Sequence, residues 1–174
     1  MYIGAISMAV KKNKIVVAVS GGFDPLHVGH VRMFQEAKKL GDELVVILNN
    51  DNWLRVKKGF VFMPQHERKE VLEALSMVDR VVLTSHTAKT DDMSVCDALK
   101  KVKPHVFANG GDRTKKNIQE IPVCEAIGTK MIFSVGRGGK MQSSSWLIAN
   151  SVKALPCPCG SKKKYSACHG TTLA

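Results

Sequence analysis

Two histidines three positions apart, His27 and His30, close the stretch GGFDPLHVGH (residues 21–30). At the start of a helix this spacing projects both imidazoles from one side, a turn apart. Gly29 between them leaves room for a phosphate against the helix N-terminus, where unpaired amides and the helix dipole favour anions. Two imidazoles placed there could donate hydrogen bonds to a negatively charged transition state. Ahead of them, Gly21 and Gly22 let the backbone turn sharply and let a ligand approach the main chain. Asp24-Pro25 favours an extended or turn conformation before a helix. The same residues admit two other readings: a capped turn with partly exposed histidines, or a metal pair, since His is the commonest metal ligand. No third carboxylate or histidine stands nearby in sequence to complete a metal set.

A second set of chemically capable residues lies in CPCGSKKKYSACHG (157–170). Cys157, Cys159, Cys168 and His169 follow the spacing C-x-C-x₈-C-H, three thiolates and an imidazole suited to a closed tetrahedral zinc site. Gly160-Ser161 supplies the turn between the pairs. So short a tail has little core, and zinc must supply its folding energy. With Lys162, Lys163 and Lys164 in its loop it reads as a docking element for a protein or an anionic surface. A chelator is expected to unfold it and leave the rest of the chain intact. Cys96 and Cys124 stand singly in apolar surroundings and read as small buried hydrophobes.

The elements that must position these groups alternate. Apolar runs at 15–20, 43–49, 80–85, 105–109 and 130–135 are strand candidates, most without strict alternation, as in strands buried on both faces. Amphipathic stretches separate them: HVRMFQEAKKLG with Gly41 as its C-terminal cap, PQHERKEVLEALSMV, MSVCDALKKVKP, NIQEIPVCEAIG and SSSWLIANSVKAL. Pro122 must lie in the first turn of the fourth or break it. The order βαβαβαβαβα predicts an α/β, Rossmann-like open sheet of about five parallel strands with helices on both faces, plus a small C-terminal zinc-binding tail. Ligands bind such sheets at the carboxyl ends of the strands, where strand order reverses. GGFDPLHVGH, ANGGDR and GRGGKMQSSS all fall just after strands, which points to a shared site. The body is expected to span 14–152 and the tail 155–170.

With 174 residues, 44% hydrophobic and 24% charged, the chain is of ordinary globular composition. It has no apolar run long enough for a membrane span, and its early charges follow the apolar part, the wrong order for a secretory signal; the expected location is cytoplasmic. The formal net charge of +11 suggests a nucleic-acid binder at first. Seven of those charges lie in the two flanks, 1–14 and 151–174, and the remaining body holds 19 basic against 15 acidic residues. A phosphate-binding pocket accounts for that smaller surplus. A polyanion partner acting through the ends would show strongly salt-dependent affinity.

GGFDPLHVGH resembles the GxFDxxHxGH signature of the cytidylyltransferase-like nucleotidyltransferases, among them glycerol-3-phosphate cytidylyltransferases and heptose-phosphate adenylyltransferases. The resemblance runs over roughly residues 14–150. It implies that His27 and His30 contact nucleotide phosphates, with Gly22, Phe23, Asp24 and Gly29 around them. LRVKKG (54–59) is similar to the family's lysine-bearing loop after the second strand, so Lys57 or Lys58 would meet phosphates. PQHERKEVLEAL resembles the ERxxxL helix, with Arg68 facing the site. ANGGDR resembles the GGD segment of the heptose-phosphate enzymes, which lies beside the nucleotide and brings in Asn109, Gly111, Asp112 and Arg113. QSSSWLI resembles the final serine-rich motif, where Ser143, Ser144 and Ser145 would hold the β and γ phosphates at a helix N-terminus. The chain departs from the RTEGIST typical of cytidylyltransferases: it has GRGGKMQSSS, with Arg137 one position further from the serines and Lys140 between. The tail resembles the SEC-C motif, the zinc module at the end of the bacterial preprotein translocase motor.

The resemblance implies direct nucleotidyl transfer: an acceptor phosphate or phosphonate oxygen attacks the α-phosphorus of a nucleoside triphosphate and pyrophosphate leaves. Mg²⁺ would bridge the phosphates, held mostly by them and by water with help from Asp24. CMP from CTP is favoured, with AMP from ATP the alternative. The acceptor is a small phosphorylated or phosphonylated metabolite bound by variable loops such as 86–93. A homodimer is a possible assembly. The rival reading is a non-catalytic nucleotide-binding adaptor that docks partners through its zinc tail.

Overall fold

The structure, a computed structural model, describes residues 14–111, 113, 118–136, 143–152 and 155–168. Five strands, β1 (Val16–Gly21), β2 (Glu43–Leu48), β3 (Arg80–Leu83), β4 (Val106–Ala108) and β5 (Lys130–Ile132), form one sheet in the order β3-β2-β1-β4-β5. Every pairing is parallel. The chain leaves β1 toward β2 and β3, then returns across the sheet to β4. The reversal lies between β1 and β4, where Val17 pairs with Val106 and Ala18 with Phe107. In open parallel sheets, ligands bind at the carboxyl ends of the strands that flank such a reversal.

Alternation along each strand divides the core between the faces. Val17 and Val19 of β1 and Leu44, Val46 and Leu48 of β2 face Phe34 and Ala37 of α1 (Val28–Lys38) and Leu72 of α3 (Gln65–Glu73). Ala18, Ile47 and Phe107 face Ala98 and Leu99 of α4 (Cys96–Val102) and Cys124 of α5 (Ile121–Ala126). Helices therefore cover both faces, as the apolar runs require. Cys124 is the buried small hydrophobe expected of it; Cys96 is half-buried at the start of α4. Pro122 sits in the first turn of α5, where its missing N–H costs no helical bond.

Two local expectations change. The segment after β2 is a helix, α2 (Asp51–Lys58), rather than a loop. Asn50 caps it by accepting the Trp53 N–H at 3.0 Å, and Gly59 ends it in the left-handed region (φ 81°). Gly41 does not cap α1, which closes on Lys39 in a right-handed conformation. A Cβ at Gly41 would lie 2.5 Å from the Ile15 carbonyl oxygen, so close packing against the chain entering β1 demands glycine there. The final helix, α6 (Ser144–Val152), precedes a tail in which Pro156 and Lys164 form an antiparallel bridge and Tyr165–Ala167 a short 3₁₀ turn. Among the described residues no helix is long and apolar enough to cross a membrane.

Candidate active site

β1 ends at Gly21, and the chain must turn at once into α1. The residue that takes the left-handed conformation in this turn is Phe23 (φ 48°), not a glycine. Gly21 and Gly22 are required for closeness instead: a Cβ would meet the Phe23 ring at 2.8 Å from Gly21 and the Leu54 side chain at 2.9 Å from Gly22. Phe23 is buried and stands edge-on to both Phe34 (5.1 Å) and the His30 ring (4.9 Å, 88°). Core packing thus reaches directly to one of the two histidines.

His27 is the N-cap of α1. Its Nδ1 accepts the Gly29 N–H at 3.1 Å, and the Nδ1 of His30 accepts the His27 N–H at 3.3 Å, a capping box built from two imidazoles. A neutral imidazole that accepts at Nδ1 carries its proton on Nε2. Each ring is thereby fixed as an Nε2–H donor, and the two rings stack with centres 3.7 Å apart. A Cβ on Gly29 would press on the His27 ring at 3.0 Å, so the room Gly29 leaves is taken by that imidazole. Burial, then the neighbouring His27 and Lys58, push His30 down to about 3; burial and Lys58 lower His27 as well. The pair is neutral at physiological pH and its Nδ1 lone pairs are engaged by amides, which argues for hydrogen-bond donation over metal ligation.

Lys58, at the end of α2, donates from Nζ to the Asp24 carbonyl at 2.7 Å. Its ammonium sits close enough to lower both histidines electrostatically. Burial holds its own pKa below the usual lysine range, partly offset by Asp24. Lys57 points outward and is exposed. Of the two, Lys58 is the lysine brought to the histidines.

Asp24 and Arg68 are not placed as the sequence suggests. The fully buried Asp24 carboxylate accepts the Phe62 N–H at 2.9 Å and the Met63 N–H at 2.7 Å, so it ties the 60–63 loop to the turn. Arg68 is 1% exposed, its guanidinium turned to backbone carbonyls and to Asp51. Its guanidinium donates to the carbonyls of Met63 (2.8 Å), Gly22 (2.7 Å) and Asn49 (2.8 Å) and to the Asp51 carboxylate (2.7 Å). It binds the ends of β1 and β2 to α2. The partner Asp51 was missed in the sequence; its signal is the Asn50-Asp51 start of an unexpected helix.

On the other side of the strand reversal, Asn109 follows β4, buried, with its N–H donating to Ile132 O at 2.7 Å and its carbonyl accepting the Val135 N–H at 3.0 Å. Gly111 is exposed in the left-handed region (φ 68°). Arg113 points to Glu120 at 4.0 Å. Ser144 opens α6 and donates from Oγ to the Pro25 carbonyl at 2.8 Å, which draws the serine segment 143–145 to the turn before the histidines. Asp112 and Arg137 lie outside the described residues. The loop expected to hold the acceptor is pinned over α2 by Asn50 and Asn52, both donating to His86 O, and by Trp53 Nε1 on Met93 O. Beside it a cavity of about 230 Å³, lined by Thr84, His86, Ser94 and Lys101, lies at β3, two strands from β1.

In the tail, the sulfurs of Cys157, Cys159 and Cys168 all lie within 4.8 Å of one another, with Cys159 and Cys168 at 3.7 Å. Zinc–sulfur bonds of about 2.3 Å at tetrahedral angles separate sulfurs by about 3.8 Å, so the set fits zinc. Hydrogen bonds from Ser161 draw the Cys159 thiol down to about 6, toward the thiolate a metal needs. His169 lies outside the described residues. Nothing comparable exists for magnesium: among the described residues the cysteine trio is the one cluster of metal-ligand groups, and Asp24 is spent on backbone amides. The expected help from Asp24 to Mg²⁺ does not fit this geometry.

Residues 18–132 match the model of the family described as cytidylyltransferase-like. The chain belongs to that family. Residues 155–171 match the SEC-C motif. This cytidylyltransferase-like chain is 41% identical over 104 residues to the FAD synthase of Thermococcus sibiricus, covering 59% of the chain and 67% of that relative. It is 34% identical over 123 residues to the bifunctional protein HldE of Syntrophotalea carbinolica, covering 70% of the chain but 24% of that longer protein. Among solved structures, the lipopolysaccharide core biosynthesis protein from Thermoplasma volcanium is similar with a TM-score of 0.59 and 28% identity, covering 72% of this chain and 99% of that one. The pantoate-beta-alanine ligase from Francisella tularensis, at 17% identity and a TM-score of 0.52, shares the fold. The cytidylyltransferase-like chain is accordingly a nucleotidyltransferase, and the adaptor reading is set aside.

Proposed function

We propose that this enzyme transfers an adenylyl group from ATP to the phosphate of a small phosphorylated acceptor and releases pyrophosphate. The observation that carries the reading is the stacked His27–His30 pair, held neutral with both Nε2–H groups as donors beside the Lys58 ammonium, at the N-terminus of α1 and the carboxyl end of β1. An attack by an acceptor oxygen on the α-phosphorus builds negative charge on its oxygens and needs fixed donors and position, not a protein nucleophile. His27, His30 and Lys58 supply the donors in this reading. Ser143, Ser144 and Ser145 hold the distal phosphates from the start of α6, Ser144 through its backbone N–H since its hydroxyl donates to Pro25 O. Magnesium would enter with the triphosphate's own oxygens and water, the Asp24 carboxylate being engaged by the Phe62 and Met63 amides.

ATP is preferred over the CTP that motif context suggested, because the relatives named FAD synthase support adenylyl transfer: joining AMP to flavin mononucleotide is what makes FAD. Flavin mononucleotide is therefore the first acceptor. A sugar phosphate is the second, favoured by the ANGGDR segment and by the similarity to HldE. The test is pyrophosphate release from ATP and CTP, each with flavin mononucleotide and with a heptose or glycerol phosphate. Release from ATP with one acceptor is expected. Release from CTP alone, or from neither nucleotide with any acceptor, overturns the reading.

A further inference from the structure

The tail is too short to bury a residue of its own, yet Tyr165 is 1% and Cys157 4% exposed. What covers them is the catalytic body. Tyr165 stands edge-on to Phe60, ring centres 5.8 Å apart at 78°, and both pack with Cys157 and with Ile148 of α6. Phe60 follows Lys58 by two residues and precedes the Phe62 and Met63 amides that bind Asp24. Ile148 lies one turn after Ser144, whose hydroxyl holds the Pro25 carbonyl. The tail's ordered backbone brings its aromatic to this spot: Cys157 N–H donates to Lys163 O and Tyr165 N–H to Leu155 O, closing the loop that carries Cys157 and Cys159. Lys162, Lys163 and Lys164 face away and are exposed.

We infer that the metal-bound tail is a clamp on the active site. Through Tyr165 and Cys157 it fixes the Lys58 end of α2 and the 60–63 loop against α6, so metal bound at the cysteines sets the spacing between the lysine and the serine segment. Tyr165 and Phe60 are positioning residues. They touch no reacting group, and their effect on nucleotide rests on the reading of these strand ends as the triphosphate site. The inference replaces the expectation of an independent appendage, and it explains why a residue of the catalytic body, Phe60, is buried beside cysteine sulfurs.

The experiment uses the full chain, zinc-loaded and zinc-stripped, together with Phe60→Ala, Tyr165→Ala and Tyr165→Phe. Zinc content, amide hydrogen exchange and ATP binding by calorimetry are read on each. Zinc removal is expected to speed exchange in residues 58–63 and 144–148 as well as in 155–168, and to weaken ATP binding about tenfold, the size of coupling carried through packed side chains. Phe60→Ala should keep one zinc per chain and reproduce the looser exchange and weaker binding. Tyr165→Phe should behave as wild type, because the buried Tyr165 hydroxyl has no hydrogen-bond partner among the described residues. Faster exchange confined to 155–168, or a zinc-loaded Phe60→Ala protein with unchanged exchange in 144–148, overturns the clamp. Failure of the wild-type protein to bind ATP at all counts against the nucleotide reading alone, since exchange reports the clamp independently.

Discussion

The imidazoles of His27 and His30 lie nearly parallel, 21° apart in plane, each accepting a backbone N–H at Nδ1 within a single turn of helix. Neither ring can rotate without losing a capping bond, so the backbone itself aims both Nε2–H groups. Helix start and paired Nε2–H donors are one structure.

Removing one of these donors should be costly to rate and modest for folding. His30→Ala is expected to lower nucleotidyl transfer by about a hundred-fold or more, the usual loss for a preorganised donor. The lost cap weakens α1 by about 1 kcal/mol. Pyrophosphate release beside far-ultraviolet circular dichroism checks both, and a folded variant with near wild-type turnover would contradict the assignment.

Acid should destabilise the ligand-free enzyme before any carboxylate titrates. In the unfolded chain His30 takes up a proton near its ordinary 6.5, while in the fold it resists until about 3. Between these values the unfolded state binds more protons, so stability falls as pH drops from about 7 to 5. His27, also lowered, acts in the same direction. Over that window the loss for His30 is at most about 2 kcal/mol. Urea midpoints at pH 7 and pH 5 should converge in His30→Gln relative to wild type.

The alkaline side belongs to Lys58, whose charge is held at a cost by burial. Its ammonium should be lost at lower pH than that of an exposed lysine, and kcat/KM should fall with it. Lys58→Arg keeps the charge and is expected to move that limb upward, with a lower plateau because the bond to Asp24 O is re-aimed. Lys57→Ala should leave the profile near wild type, as Lys57 is exposed. A limb unmoved by Lys58→Arg would assign the titration elsewhere.

Arg68 should register as a stability residue. Arg68→Ala leaves the Asp51 carboxylate and three carbonyls without their donor, and breaking such a buried pair costs about 3 to 5 kcal/mol. Denaturant unfolding measures this directly. Arg68→Lys should recover little of it, since one ammonium cannot span the four acceptors held by the planar guanidinium.

The sheet was legible because parallel strands buried on both faces read as unbroken apolar runs, and all five lie where those runs lie. The histidine pair was legible because its spacing and its place after β1 are local. α2 was hidden: of its eight residues Leu54 alone is buried, so it has almost no apolar face to betray it. The fates of Asp24 and Arg68 were hidden for a different reason. Their partners at Phe62, Met63, Gly22, Asn49 and Asp51 are brought in by the fold across 5 to 46 positions, and a charged residue in sequence does not announce which way it turns. Tyr165 against Phe60 is longer range still, and nothing in a zinc motif names the surface it will lean on.

The carbonyl of Asp24 holds the Lys58 ammonium while the same residue's carboxylate holds the loop just beyond it. A lysine side chain ordinarily surrenders about 1.5 to 2 kcal/mol of rotational freedom when a ligand immobilises it. Here that loss is incurred during folding, before any nucleotide arrives. Among the described residues one of the ammonium's three N–H groups is engaged, and the proposed function assigns the other two, already confined in direction, to a phosphate. On the proposed reading, a phosphate meeting Lys58 gains affinity without a further contact, because the ordering of this side chain is not charged to binding.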